Sequence, residues 1–242
     1  MATESTRTSK ITLYASFGVL ALAIIAALVI FLLPSTDPTP TLSPTASPAP
    51  GTNSPDPGAA GSGCKAPPSD NRKVPSDLRW AASQGITWPV SDSTGPTTTT
   101  EGFPACFEHS PVGASLAAVS FLFAQVDHSP LDTANFYLAE SPGRDAALAE
   151  LNDDSVSQLK KQIETNGISV VGFKVDEYDG NRAVIRIVLR VPGSVTGFSG
   201  YPAPMVWVDG DWKVKLLDNG STGQASDETD GDFTYWTVAS NG

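Results

Sequence analysis

Hydrophobic and polar positions along the chain change pattern several times, and each pattern predicts a different kind of structure. Residues 11–33, ITLYASFGVLALAIIAALVIFLL, are an unbroken apolar run without a charge. A helix rises about 1.5 Å per residue and a bilayer core is about 30 Å thick, so about 20 such residues suffice to cross it. From 34 to 62 the side chains are almost all Pro, Ser, Thr, Ala and Gly. They bury too little to offset chain entropy, and this stretch is expected to stay unfolded. Residues 70–108 are rich in Pro, Gly and Thr and read as an irregular lead-in, with Trp80 and Trp88 expected to pin it to the core.

Helical signals follow. Ser110-Pro111 places an N-cap before a proline at the first helical position. The segment GASLAAVSFLFAQV that follows is apolar nearly all round, so the helix should be buried, ending near His128-Ser129-Pro130. A second helix is expected from Leu131 through Phe136, Tyr137 and Leu138, with a further turn or two over 144–151. After Asp153 or Asp154, the stripe Val156, Leu159 and Ile163 predicts another helix, stopped by Gly167. Strand patterns then take over. Ile168–Tyr178 and Arg182–Val191 flank Asp179-Gly180-Asn181, and Met205–Val208 and Trp212–Leu217 flank Asp209-Gly210-Asp211, two hairpin signals. Ile185, Ile187, Leu189 and Val191 share one strand face. Lys174, Arg186, Arg190, Lys213 and Lys215 are expected on the outward face, a basic surface that could dock an acidic partner.

Charge and cysteines sharpen the topology. Arg7 and Lys10 precede the apolar run and the next basic residue is Lys65, which puts the N-terminus in the cytoplasm. The run is too long for the core of a cleaved signal, and no small-x-small site follows before Pro34, so it reads as a signal anchor. The expected organisation is a cytoplasmic tail (1–10), a transmembrane helix through the lipid bilayer (11–33), a linker (34–70) and an extracytoplasmic domain (71–242). In polyproline II the prolines of 34–62 would give that linker a reach of up to ~90 Å. The chain carries a net charge of −11, and residues 1–10 hold one acid and two bases, so −12 falls on the rest. An ectodomain that acidic is poorly suited to gripping nucleic acid. Cys64 and Cys106 both fall on the oxidising side of the membrane and form one plausible disulfide, two free thiols being the alternative.

Helices followed by a curved antiparallel sheet make an α+β layer architecture. That order resembles the NTF2-like cone, three helices packed on a curved antiparallel sheet, and PAPMVWVDGDWKVKLL resembles its last hairpin. Trp88-Pro89, Gly95-Pro96, Gly102-Phe103, Cys106 and HSPVGASLAA at 109–118 carry a wider resemblance, to actinobacterial bitopic membrane proteins. These are similar to the TcpC-type scaffold proteins of conjugation and type IV secretion channels. The resemblance implies a membrane-anchored scaffold working through protein partners or self-association, and it supplies no catalytic residues.

No catalytic or cofactor constellation stands out. Ser157-Gln158-Leu159-Lys160 matches S-x-x-K without its companion motifs, and Gly197-Phe198-Ser199-Gly200 is followed by Tyr201 where G-x-S-x-G needs glycine. His109 and His128 bracket the buried helix, about 29 Å apart if it is regular, too far to share a metal. The carboxylates of 227–232 lack the spacing of a calcium loop and read as a solvated loop. Tyr137, Tyr201 and Asp132 are candidate cavity-lining residues but form no recognisable pair. The expectation is a non-catalytic scaffold or interaction protein without a cofactor. A small-molecule cavity protein or enzyme and a wall-associated sensor or surface protein are the alternatives.

Overall fold

The structure, a computed structural model, describes residues 64, 66–151, 161 and 165–237. The expected span at 11–33 and most of the linker lie outside these residues. Among the described residues no helix is long and apolar enough to cross a membrane.

Two small hairpins open the domain. β1 (Arg79–Ser83) pairs with β2 (Ile86–Val90), and β3 (Thr98–Thr100) pairs with β4 (Phe103–Ala105). Among the described residues three complete helices follow, α1 (Pro111–Ala124), α2 (Pro130–Tyr137) and α3 (Pro142–Ala149). Each starts on a serine cap and a proline: Ser110, Ser129 and Ser141 accept from the backbone N–H three residues on. The main sheet is antiparallel, built from β5 (Ser169–Tyr178), β6 (Arg182–Arg190), β7 (Phe198–Val208) and β8 (Asp211–Val214). β9 (Ser226–Glu228) joins it on β7, and β10 (Thr234–Tyr235) on β5.

All fourteen residues of α1 are buried. The sheet covers one side of the helix through Ile185, Ile187 and Trp212, and the β1–β2 hairpin covers the far side, with Trp88 stacked on Phe123 at 5.6 Å. A helix apolar all round needs cover all round, and the hairpin supplies the half that the sheet cannot. Trp80, on the outer strand of that hairpin, stays 46% exposed instead of pinning it.

The NTF2-like cone is therefore a misreading. The described domain is strand-rich, its helices are short, and its sheet does not close, ending on β10 and β8. Among the described residues only α1 lies across the sheet, while α2 packs beside β8 and α3 packs on α2 and against Leu216 and Leu217. The lead-in is not irregular either. Gln84-Gly85 and Glu101-Gly102 both place two successive residues at positive φ, the geometry of a two-residue hairpin turn, and so convert the Pro/Thr-rich stretch into strands. The helix expected after Asp153 falls largely outside the described residues, where Lys161, Thr165 and Asn166 are helical.

The C-terminal segment is a strap over the outward face of the sheet. β9 and β10 sit on opposite sides of the β5–β6–β7 ladder, so residues 229–233 cross between them. Two outward-facing glycines make room. A Cβ on Gly172 would lie 2.5 Å from Phe233, and one on Gly200 would lie 2.7 Å from Glu228. Phe233 packs edge-on to Phe198, and Val188 beneath the strap is fully buried despite its outward position.

Candidate functional site

The five basic residues expected on one open face have separate fates. Lys174 and Arg186 face each other across β5 and β6, but Glu228 of the strap reaches over Gly200 to pair with both, at 3.2 and 3.9 Å. Arg186 also pairs with Asp176 and donates to Ser226 Oγ at 2.8 Å. Arg190 lies over the Phe198 ring at 5.2 Å, and Lys215 is exposed beyond the end of β8. The strap is thus an acidic partner supplied by the chain itself. Lys213 leaves the group altogether.

Lys213 turns around the β8 edge of the sheet into a groove with a volume of about 850 Å³. Its Nζ donates to the Phe136 carbonyl at 2.8 Å and lies 4.2 Å from the centre of the Phe136 ring. Burial pushes the Lys213 ammonium below its ordinary pKa, while the carboxylates of Asp211, Asp209 and Glu101 act in the opposite direction. Phe103 extends the aromatic wall, 4.6 Å from Phe136 in a stack and 4.1 Å from the His128 ring. Glu101, Asp132, Glu140 and Asp209 bring four exposed carboxylates to the same groove.

Local structure explains how these residues meet. Glu101 and Asp209 occupy the first positions of two tight hairpin turns, at φ 54° and 53°, each followed by a glycine. The β3–β4 and β7–β8 turns therefore carry their acids at their tips. Asp132 and Phe136 are four residues apart on α2 and share one face. Tyr137 closes the back of this corner, its hydroxyl donating to the Pro104 carbonyl at 2.8 Å, and burial pushes the phenol pKa up.

Asp211 ties the start of β8 to the segment between β4 and α1. Its buried carboxylate accepts from the N–H groups of Cys106, Phe107 and Trp212 at 2.8, 3.1 and 2.9 Å. Burial raises the Asp211 pKa and these three donors oppose the rise. Cys106 is also joined to Cys64 by a disulfide, with Cα atoms 5.3 Å apart. Cys64 is thereby fixed three residues from Phe103, beside the strand pair that forms one wall of the groove.

Of the residues singled out by sequence for a cavity, Asp132 lines the groove, Tyr137 stands behind it and Tyr201 is buried in the core elsewhere. The histidines divide similarly. His128 is a groove residue, whereas His109 is buried, stacked on Trp207 at 3.8 Å and bonded through Nε2 to the Gly180 carbonyl. Sequence reading missed Glu101, Phe103 and Phe136. Glu101-Gly102 carries the same acid–glycine turn signal as Asp209-Gly210 and could have been found by it. Among the described residues no cluster of His, Cys, Asp and Glu is arranged to hold a metal ion.

Residues 43–235 match a family described as a domain of unknown function, DUF8175, and the chain belongs to that family. No curated protein and no solved structure matches the chain.

Proposed function

We propose that this member of the DUF8175 family is a membrane-anchored interaction protein that offers the Lys213 groove to an extracytoplasmic partner. The apolar run at 11–33 would hold it in the bilayer, and the proline-rich stretch after it would space the domain away from the surface. The observation that carries this reading is the convergence of separate segments on one groove. The β3–β4 turn, α2, the residues after it, the β7–β8 turn and β8 all contribute, beside a disulfide that ties down the linker's end.

The reading is non-catalytic. The groove's lining offers no hydroxyl or thiol, its carboxylates are exposed, and its one amine, Lys213, is engaged by the Phe136 carbonyl and ring. Its volume also falls within the range of small-molecule sites, which keeps a small ligand as the second reading. The likeness to channel scaffolds implied a cone, and the open sheet gives that part no support.

Topology is tested with a reporter fused after Gly242. Activity only outside the cytoplasm, on a chain that stays membrane-bound at full length, is the expected result. A soluble form processed near residue 34 would overturn the anchor.

A further inference from the structure

The groove already holds one cation, and it is the protein's own. Strand parity puts Lys213 outward, yet its ammonium is seated on the Phe136 ring and bonded to the Phe136 carbonyl. The wall is therefore capable of binding an ammonium group through the ring face and a carbonyl oxygen. Phe103 backs the other face of Phe136 and is itself covered by His128, so the face under Lys213 is the one Phe136 turns to the groove. The four carboxylates that line it come from the β3–β4 turn, α2, the residues following α2 and the β7–β8 turn, so no single acidic run explains their meeting.

We propose that this groove binds the side-chain cation of a lysine or arginine presented on a peptide segment of the partner. This rests on the reading of the groove as the binding site. The carboxylates supply the attraction, and the Phe136 face and carbonyl that Lys213 now occupies supply the seat once Lys213 is displaced. An anionic ligand would meet four carboxylates and one ammonium. An apolar ligand would have to strip water from the same charges. A bare metal ion is the wrong size of guest, because the carboxylates are spread around the groove and not gathered on one point. A volume of about 850 Å³ admits a few residues of extended peptide.

Lys213 then acts against the ligand. The incoming cation must displace its ammonium from the Phe136 ring and carbonyl, so removal of Lys213 should strengthen binding. An anion site would behave in the opposite sense, and the sign of this one effect separates the two chemistries.

The test is calorimetric titration of the full-length protein in detergent micelles with end-blocked Gly-Lys-Gly, its Nε-acetylated form, Gly-Arg-Gly and Gly-Glu-Gly. Asp209→Asn and Glu101→Asn are suitable variants, since asparagine is well tolerated at the positive φ of both turns. The lysyl or arginyl peptide should bind saturably and weaken as salt rises. Acetylation, or the double variant, should weaken binding about tenfold, and Lys213→Met should strengthen it by roughly threefold or more. Equal binding of the acetylated peptide, loss of binding in Lys213→Met, or no saturable binding of either basic peptide would overturn the proposal. Preference for Gly-Glu-Gly, lost in Lys213→Met and weakened in Phe136→Ala, would keep the groove as the site and reject the cation. Basic-peptide binding unmoved by every groove variant would overturn both.

Discussion

Asp211 shows how one side chain can organise a region. Its carboxylate is buried between β8 and the Cys106–Phe107 segment, where three N–H groups converge on it. Replacing it with asparagine puts an NH2 group against a backbone N–H, and the unsatisfied donor should cost about 1–3 kcal/mol. Chemical denaturation of Asp211→Asn against the parent checks this. The pH dependence follows from the raised carboxyl pKa. The folded state holds the proton more tightly than the unfolded chain, so the stability contributed by the protonated group is lost as pH rises through the raised value. Denaturation midpoints taken upward from about pH 4, the ordinary aspartate range, should show that decline in the parent and a flatter profile in Asp211→Asn.

At the scale of elements, the strap joins the two sides of the sheet with very short strands, β9 and β10. It depends on outward glycines. Gly172→Ala would drive a methyl group into Phe233 and the Thr234 carbonyl, both 2.5 Å away, and should cost about 1–3 kcal/mol. Hydrogen exchange should locate the damage at residues 234–236, where β10 and the Trp236 N–H bond to β5. Protection at Thr234–Trp236 equal to the parent's would mean that the strap does not need this glycine. The strap also marks the limit of what was legible in sequence. Ser110-Pro111, the apolar stretch of α1 and the alternation over β5 and β6 are local signals, and the elements form where those signals fall. Residues 226–235 carry no such pattern, because β9 and β10 are strands only through the partners they meet on β7 and β5. The same cause scattered the basic face. Parity correctly gives the side of the sheet to which Lys174 and Arg186 belong, but not that Glu228, over 40 residues away in sequence, lies across them. Lys213 escaped parity because β8 ends the sheet, and a long side chain there can turn around the edge.

For the whole molecule, the disulfide ties Cys64, where the proposed linker would end, to the domain. Cys64 and Cys106 are separated by 42 positions, and closing a loop of that size is worth up to ~4 kcal/mol on the chain-entropy account. Cys106→Ser should lower stability by no more than that, and reductant should destabilise the parent while leaving the variant unmoved. Equal denaturation of the parent with and without reductant would contradict the link. The groove hairpin should feel the change too, since Cys106 directly follows β4. The central claim is that the anchored protein meets its partner through the Lys213 groove and not through the basic side of the sheet. Its most direct test places a photoreactive residue at Asn135 in the groove, or at Arg190 on the outward sheet face, in full-length protein within native membranes. The groove position should crosslink to one discrete partner, and excess lysyl peptide should suppress that product, while the sheet position gives none. Crosslinking from Arg190 alone, with the groove position silent, would contradict the claim.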